Sequence, residues 1–428
     1  MEKVIFHVDV NSAFLSWSAA YRVRILGERE DLRELPSVVA GERENRHGII
    51  LAKSASAKKF GVKTGEPIFQ AQQKCPNLVV IPPDYPLYVE ASRHLLRLLR
   101  EISPLVEQYS IDEAWMDMTG TEGLYGTPVA AAHMLRQKIY DEFGFTVNIG
   151  ISSNKLLAKM AGDFEKPNKV HTLFPWEMEK KLWPLPVRDL FMVGPATERK
   201  LHLLGIDTIG QLAHADQQML LKKLHKPGLS LWHSANGRFS DTIAAEPEAN
   251  KGYGNSVTLP ADITASDDAY RVLLSLCETV AMRMRQDKKS ARCVSVSLRT
   301  KEFHTFSHQS VLSNATDSTD ELFRIACRIF DEAWDKQTPL RQLGVQASRL
   351  EERGERQYDL FGVVSAEAYA RKAQLDNTVD DLREKYGEGI IRRARFVGTE
   401  QILAGGLHQE RRTGITKPVS AGESAAPL

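Results

Sequence analysis

VEQYSIDEAWMDM, Val106 to Met118, reads as two strands around a turn, and the elements on either side of it decide the fold. Upstream, Tyr85 to Ile102 reads as a helix in which Leu95, Leu96, Leu98 and Leu99 crowd one side, closed by Pro104. Farther upstream, VIFHVDV (Val4 to Val10) is a short apolar run rich in β-branched residues, the pattern of a buried strand. Downstream, Thr127 to Phe143 reads as a helix and TVNIGIS (Thr146 to Ser152) as a strand. The order is β-α-β-β-α-β, with a long polar and basic insertion between the first strand and the first helix. It is the order of the ferredoxin-like split βαβ sheet, which catalytic and non-catalytic proteins share.

At 428 residues the chain exceeds one ordinary hydrophobic core, which points to several domains. No run of about 18 apolar residues offers a membrane span, and MEKVIFHVDVN lacks the cleavage pattern of a leader. A cytoplasmic location is expected. Cys75, Cys277, Cys293 and Cys327 lie far apart with no C-x-x-C pair, so reduced thiols are expected rather than a zinc site or a disulfide framework. The net charge of +1 hides an uneven distribution. Residues 1–165 carry 19 basic and 21 acidic side chains, whereas residues 166–238 carry 11 basic and 6 acidic. From Arg283 to Lys301, seven basic residues (Arg283, Arg285, Lys288, Lys289, Arg292, Arg299, Lys301) stand against the single acid Asp287. Such a strip suits a phosphate backbone, or serves as a solvated helix face.

Ser152 to Asn154 offer caps to a helix through KLLAKMAGDF, and Pro167 ends that region. Residues 166–238 are helical in pattern, with two helices flanking the tight turn Val193-Gly194-Pro195. This resembles a helix-hairpin-helix, whose free backbone N–H groups receive a DNA phosphate; an ordinary αα-corner is the plainer alternative. FSDTIAAEPEAN (Phe239 to Asn250) holds three acids and no base and reads as a linker. Residues 251–350 alternate strand-like and helical pieces, a second α+β domain. Past 351 the sequence turns polar, with one helical patch (LDNTVDDLREKYGEGIIRRARF), and from about Gly405 it has the composition of a disordered end.

Phosphoryl transfer to a sugar hydroxyl needs charge neutralised on the attacking and leaving oxygens, which two metal ions about 4 Å apart can do. Carboxylates must hold such ions. Asp9 ends the first strand, and Asp112 and Glu113 sit in the hairpin that lies beside it in a split βαβ sheet. Neighbours on a flat strand point to opposite faces, so Asp112 and Glu113 share a site only if the turn redirects one of them.

DVNSAF (Asp9 to Phe14), YSIDE (Tyr109 to Glu113), GISSNKLLAKMA (Gly150 to Ala161) and the hairpin after them resemble the ordered motifs of Y-family, DinB/UmuC-type, lesion-bypass DNA polymerases. The likeness runs through residues 1 to about 350. It implies an α+β, multidomain right hand. Residues 1–165 would be a ferredoxin-like palm with small fingers inserted at about 15–75, and 166–238 a helical thumb. Residues 239–250 would be a linker, 251–350 an α+β little finger and 351–428 a C-terminal tail. The implied activity is template-directed, DNA-dependent addition of deoxynucleotides to a primer 3'-hydroxyl, in translesion synthesis and DNA damage tolerance.

Carried over by motif, Asp9, Asp112 and Glu113 would be catalytic and would hold two Mg²⁺ ions with the Val10 carbonyl. Asn11, often Asp in relatives, is left out of the metal set. Phe14 matches the steric gate that excludes a 2'-hydroxyl; without the motif it reads as a core Phe. Lys159 falls where the family contacts the triphosphate, and Lys155 is read as its solvated i,i+4 neighbour. In the fingers, Ala55 and Lys58 stand where many members carry a Tyr and an Arg, so Lys58 keeps the charge without the planar fork. The DNA-contacting residues would be Gly194, Arg283, Arg285, Lys288, Lys289 and Arg292. QYDLF (Gln357 to Phe361) resembles the peptide by which bacterial polymerases bind the sliding clamp, with Gln357, Leu360 and Phe361 as anchors. Expected partners are therefore primer-template DNA, deoxynucleoside triphosphates and a β-type clamp, with a monomeric chain in the bacterial cytoplasm. Two rivals are a non-catalytic DNA- and clamp-binding scaffold and a nucleotide cyclase with a similar two-metal palm.

Overall fold

Strand β1 (Ile5–Val10) is buried at every position, the polar His7 and Asp9 included, and has a hydrogen-bonded partner on each edge. The computed structural model describes residues 2–41, 48–244, 249–353, 366–387 and 390–397. Residues 2–41 with 49–244 form one unit and residues 249–397 belong to a second.

In the first unit β6 (Glu113–Asp117) and β7 (Val147–Ser152) flank β1, both antiparallel. With β5 (Val106–Gln108) and β8 (Val170–Thr172) the sheet order is β5-β6-β1-β7-β8. The first four strands make the expected split βαβ sheet. β8 extends it, so the sheet continues past residue 165 into a stretch expected to belong to the helical thumb.

Helix α4 (Tyr85–Ile102) starts where Asp84 accepts the Leu87 N–H at 3.1 Å. Its Tyr88, Ala91, Leu95, Leu98, Leu99 and Ile102 recur every three or four residues and are buried. Each large apolar side chain on that stripe contributes about 1.5–3 kcal/mol of burial free energy. α6 (Pro128–Phe143), capped by Thr127, joins the same core. The insertion holds a three-stranded sheet, order β3-β2-β4, of β2 (Ser37–Ala40), β3 (Ile50–Lys53) and β4 (Val79–Ile81). Helix α1 (Ala13–Arg24) precedes it, and it carries the short α2 (Ala55–Lys59) and α3 (Ile68–Lys74). α5 (Glu122–Tyr125) is a single turn.

α7 (Lys155–Asp163) is capped by Asn154, whose side chain accepts the Leu157 N–H at 3.0 Å. Leu157 and Met160 of α7 share a core with Leu201, Ile209, Leu212 and Leu220 from the helical region. That region comprises α8 (Met178–Lys181), α9 (Pro195–His202), α10 (Ile209–Ala213) and α11 (Gln217–Ala235). α11 is two helical segments meeting at His225, two residues before Pro227, where an interior helical bond is lost. Ahead of the hairpin turn stands only a 3-10 turn, Val187–Asp189, where a full helix was expected. The expected linker is docked in its first half: Ala244 N–H donates to Glu107 at 2.7 Å, and Ile243 is buried with Ile5, Trp115 and Ala158.

The second unit repeats the β-α-β-β-α-β order with a different strand order, β11-β10-β12-β9. Its strands are β9 (Gly252–Ile263), β10 (Lys289–Thr300), β11 (Thr305–Thr316) and β12 (Leu340–Glu352), all pairings antiparallel. α12 (Ser266–Gln286) and α13 (Thr319–Ala333) bury their apolar stripes on this sheet. The polar stretch past residue 351 is not simply a tail. α14 (Ala366–Tyr386) carries Arg383, whose guanidinium lies 3.5 Å from Glu278 of α12, both buried. Arg393 pairs with the same Glu278 at 2.7 Å, and Phe396 packs on Leu274. The residues from 398 onward, and the QYDLF segment, lie outside the described residues.

One contact sets the seat of α7. A Cβ on Gly150 of β7 would come within 1.9 Å of the Ala158 carbonyl oxygen and 2.4 Å of the Gly162 nitrogen. Both are backbone atoms, so only helix displacement relieves the clash. Gly150→Ala should destabilise the first unit by about 3 kcal/mol, at the upper end of overpacking costs. Chemical denaturation monitored by tryptophan fluorescence checks this, and an unchanged midpoint would contradict the close packing.

Candidate active site

The β1–β6 pairing sets Asp9 directly opposite Glu113, and cross-strand partners project from the same sheet face. His7, two residues before Asp9, shares that face. Asp112 precedes β6 in a bend, outside the regular pleat, so it need not face away from Glu113. Its carbonyl accepts the Val10 N–H at 3.1 Å and its carboxylate accepts the Ser110 hydroxyl at 2.6 Å. Hairpin and first strand are thus tied where the acids sit, and the three expected carboxylates meet at one end of the sheet.

Their electrostatics are unequal. Burial raises Asp9 above the usual carboxylate range, outweighing the Lys166 ammonium that bonds it. Burial likewise raises Asp112 against its Ser110 bond, and the negative charge of Glu113 adds to the effect. Glu113 is also desolvated, but bonds from His7 and Lys159 prevail and hold it down at about 2. Desolvation thus prevails at Asp9 and Asp112, and hydrogen-bond donors prevail at Glu113. Among the described residues no group of three or more His, Cys, Asp or Glu side chains is arranged to hold a metal ion. Asp9 and Glu113 are each turned to a lysine instead.

The two lysines revise the expected assignments. Lys159 is 7% exposed, bonds Glu113, and sits 5.2 Å from the Tyr109 ring and 5.3 Å from Phe191. Enclosed in this way, it is not free to reach a triphosphate. Lys155 is no solvated neighbour either, since it holds both oxygens of Glu107 at 3.0 and 2.9 Å. Lys166, absent from the expected set, bonds Asp9 and lies 2.8 Å from Asp163, with 38% of its side chain exposed. The signal for it is topological. β8 runs parallel to β7, so the loop feeding β8 must pass the sheet end where Asp9 lies.

Asn11 donates to Asn148 at 3.1 Å and accepts from Thr146 at 3.0 Å and the Asn168 N–H at 2.8 Å. Its amide is engaged on both its oxygen and its nitrogen. Phe14 stacks on Tyr88 with centroids 4.4 Å apart, and Tyr85 meets it edge-on at 6.3 Å. The ring is braced and only partly buried. Ala55 and Lys58 are exposed on α2, which Ser54 caps.

Among the expected DNA contacts, Gly194 is the N-cap of α9 and offers no side-chain cap to its first turn. Its φ is −90° and a Cβ there would meet nothing within 4 Å, so the fold itself does not demand glycine. In the second unit Lys288 is exposed in the α12–β10 turn. Arg283 donates to the Gly254 carbonyl at 3.1 Å, Lys289 pairs with Glu352, and Arg292 with Glu351. Arg285 must be withdrawn. It is 8% exposed, grips both oxygens of Asp380 at 2.6 and 2.9 Å, and donates to the Asp317 carbonyl at 2.8 Å. Its partners lie up to 95 residues farther along the chain, beyond any local reading.

Comparison with known proteins follows the same division. The model of the impB/mucB/samB family matches residues 8–163, its C-terminal domain matches 250–360, and the IMS family HHH motif matches 177–206. DNA polymerase IV of Clostridium acetobutylicum is 42% identical, over 94% of this chain and 100% of the relative. The Moorella thermoacetica protein of the same name is 39% identical, over 88% and 93%. DNA polymerase IV 2 of Bacillus subtilis is 37% identical, over 94% and 97%. In fold, the chain resembles a Y-family DNA polymerase chimera of Dbh and Dpo4, with TM-score 0.69 and 24% identity, covering 81% of this chain and 98% of that one. Together the three matched segments and the near full-length relatives place this chain in the impB/mucB/samB family, the Y-family DNA polymerases.

Proposed function

We propose that this chain, a DNA-directed DNA polymerase by family, adds deoxynucleotides to a primer 3'-hydroxyl with two Mg²⁺ ions and serves lesion bypass in DNA damage tolerance. The observation that supports this is the meeting of Asp9, Asp112 and Glu113 at one end of the palm sheet. Carboxylates and the Val10 carbonyl are hard oxygen donors of the kind Mg²⁺ takes, and Mg²⁺ sites commonly complete themselves with substrate phosphates rather than a protein cage. Asp9, Asp112, Glu113 and the Val10 carbonyl would hold the ions. The ions would neutralise charge on the attacking and leaving oxygens.

The other residues bind and exclude. Lys166, half-exposed beside Asp9, is the ammonium placed for a nucleotide's phosphates, and Lys58 adds a second positive charge from the fingers. Phe14, braced by Tyr88, presents a flat barrier to a 2'-hydroxyl. Fingers with helices of five and seven residues put little bulk over a template base, which suits damaged templates. The unblocked first turn of α9 at Gly194 takes a DNA phosphate. Lys288, Lys289, Arg283 and Arg292 serve the duplex; the Lys289 and Arg292 ion pairs, worth about 0–1 kcal/mol at such exposure, can re-form on phosphate. QYDLF docks on a sliding clamp in the bacterial cytoplasm. No helix among the described residues is long and apolar enough to cross a membrane.

Primer extension tests this reading. The wild-type chain should extend on an undamaged template and past an abasic position, and Asp112→Ala should lower both by about 10²- to 10³-fold or more. Extension by that variant at wild-type rates would overturn the site. Phe14→Ala should cut discrimination against ribonucleotides by about 10- to 100-fold in single-nucleotide kinetics, since it removes a steric barrier; unchanged discrimination would locate the gate elsewhere. Replacing Gln357, Leu360 and Phe361 with Ala should leave short-primer synthesis intact but abolish clamp stimulation, an effective-concentration gain of about 10² to 10⁴. Equal stimulation of both versions would remove the clamp from the list of partners.

A further inference from the structure

We infer that His7 and Lys159 are positioning residues that pin one oxygen of Glu113 and leave the other for a divalent ion, an inference that rests on the active-site reading above. His7 is 1% exposed, and its Nε2 lies 3.3 Å from Glu113 Oε2. A carboxylate oxygen only accepts, so Nε2 carries the proton and donates. The Lys159 ammonium, arriving from α7, bonds the same oxygen. Both bonds end on Oε2 and neither on Oε1.

Each donor is itself immobilised. Lys159 is held between Tyr109 and Phe191, and the His7 ring is tilted against Trp115 at 5.5 Å. The other His7 nitrogen, Nδ1, is buried without a partner. A buried unsatisfied nitrogen costs free energy that a phenylalanine of similar shape would avoid. The imidazole is therefore a poor choice for packing and a suitable one for donating through Nε2. With its rotamer fixed, Glu113 meets a hard cation in one orientation, as outer ligand-holding groups generally arrange. Lys159 then differs in role from Lys166: the first orients a carboxylate, the second faces the substrate.

The test uses the full-length chain with primer-template DNA and a non-hydrolysable deoxynucleotide analogue, with Mn²⁺ binding followed by electron paramagnetic resonance. His7→Phe keeps the ring and removes the donor; His7→Gln restores an amide donor near Nε2. His7→Phe should weaken Mn²⁺ binding and lower kcat, each by about tenfold, with nucleotide KM within about twofold. His7→Gln should recover most of both. Lys159→Met should follow His7→Phe, whereas Lys166→Ala should raise nucleotide KM. Mn²⁺ affinity in His7→Phe equal to wild type overturns the inference. So does a loss that Gln fails to rescue while the unfolding midpoint falls, which would make His7 a packing residue only. A wild-type chain that binds no Mn²⁺, or an Asp112→Ala variant that binds it as well as wild type, would sink the active-site reading and this inference with it.

Discussion

Three carboxylates gathered at one end of a sheet repel one another, and burial sharpens the repulsion because little water screens it. Much of the first unit answers that constraint. Lys159 and Lys166 bring two positive charges, His7 brings a donor, and Ser110 brings a hydroxyl. α7 must lie hard against β7 for Lys159 to reach Glu113, which is why Gly150 meets helix backbone rather than side chain. The loop after α7 must turn back over the sheet end to deliver Lys166. The three acids and their counter-charges are thus one electrostatic assembly, spread over two strands, a bend, a helix and a loop.

Much of this was legible in the sequence because it is local. The alternation of elements around Val106–Met118 carries the split βαβ sheet, and the acids fall at strand ends and in a turn. What the sequence hid is direction. Lys155 and Lys159 share a helix face by spacing alone, and spacing does not say that one is clasped by Glu107 and the other by Glu113. Lys166 sits in a loop whose closeness to Asp9 depends on the strand order. Arg285 belongs to a basic strip that invites phosphate, yet the carboxylates that bury it belong to α14.

The second unit shows the same limit in another form. α14 was expected as a helical patch, but its attachment was not, because no continuous apolar stripe marks it. It docks through charges: Asp376 and Asp380 on Arg285, Arg383 on Glu278, with Asp376 also accepting the Thr319 N–H at the start of α13. Sequence periodicity detects hydrophobic faces well and ionic ones poorly. Glu278 is raised above the usual range by burial, which its two arginines only partly offset. A pair of this kind stabilises little by itself, whereas removing one partner leaves a buried charge and costs about 3–5 kcal/mol.

That docking also imposes an order on biosynthesis. Arg285 meets Asp380 across 95 residues, and Glu278 meets Arg383 and Arg393 across 105 and 115. A chain leaving the ribosome completes β9 through β12 well before α14 emerges, since synthesis runs at about 5–20 residues per second. During that interval Glu278 lacks both of its arginines, and Arg285 has the Asp317 carbonyl and the Thr319 hydroxyl but neither carboxylate of α14. The nascent unit must keep this face of α12 hydrated until its last helix arrives, so its final packing waits on the last part of the chain to be made.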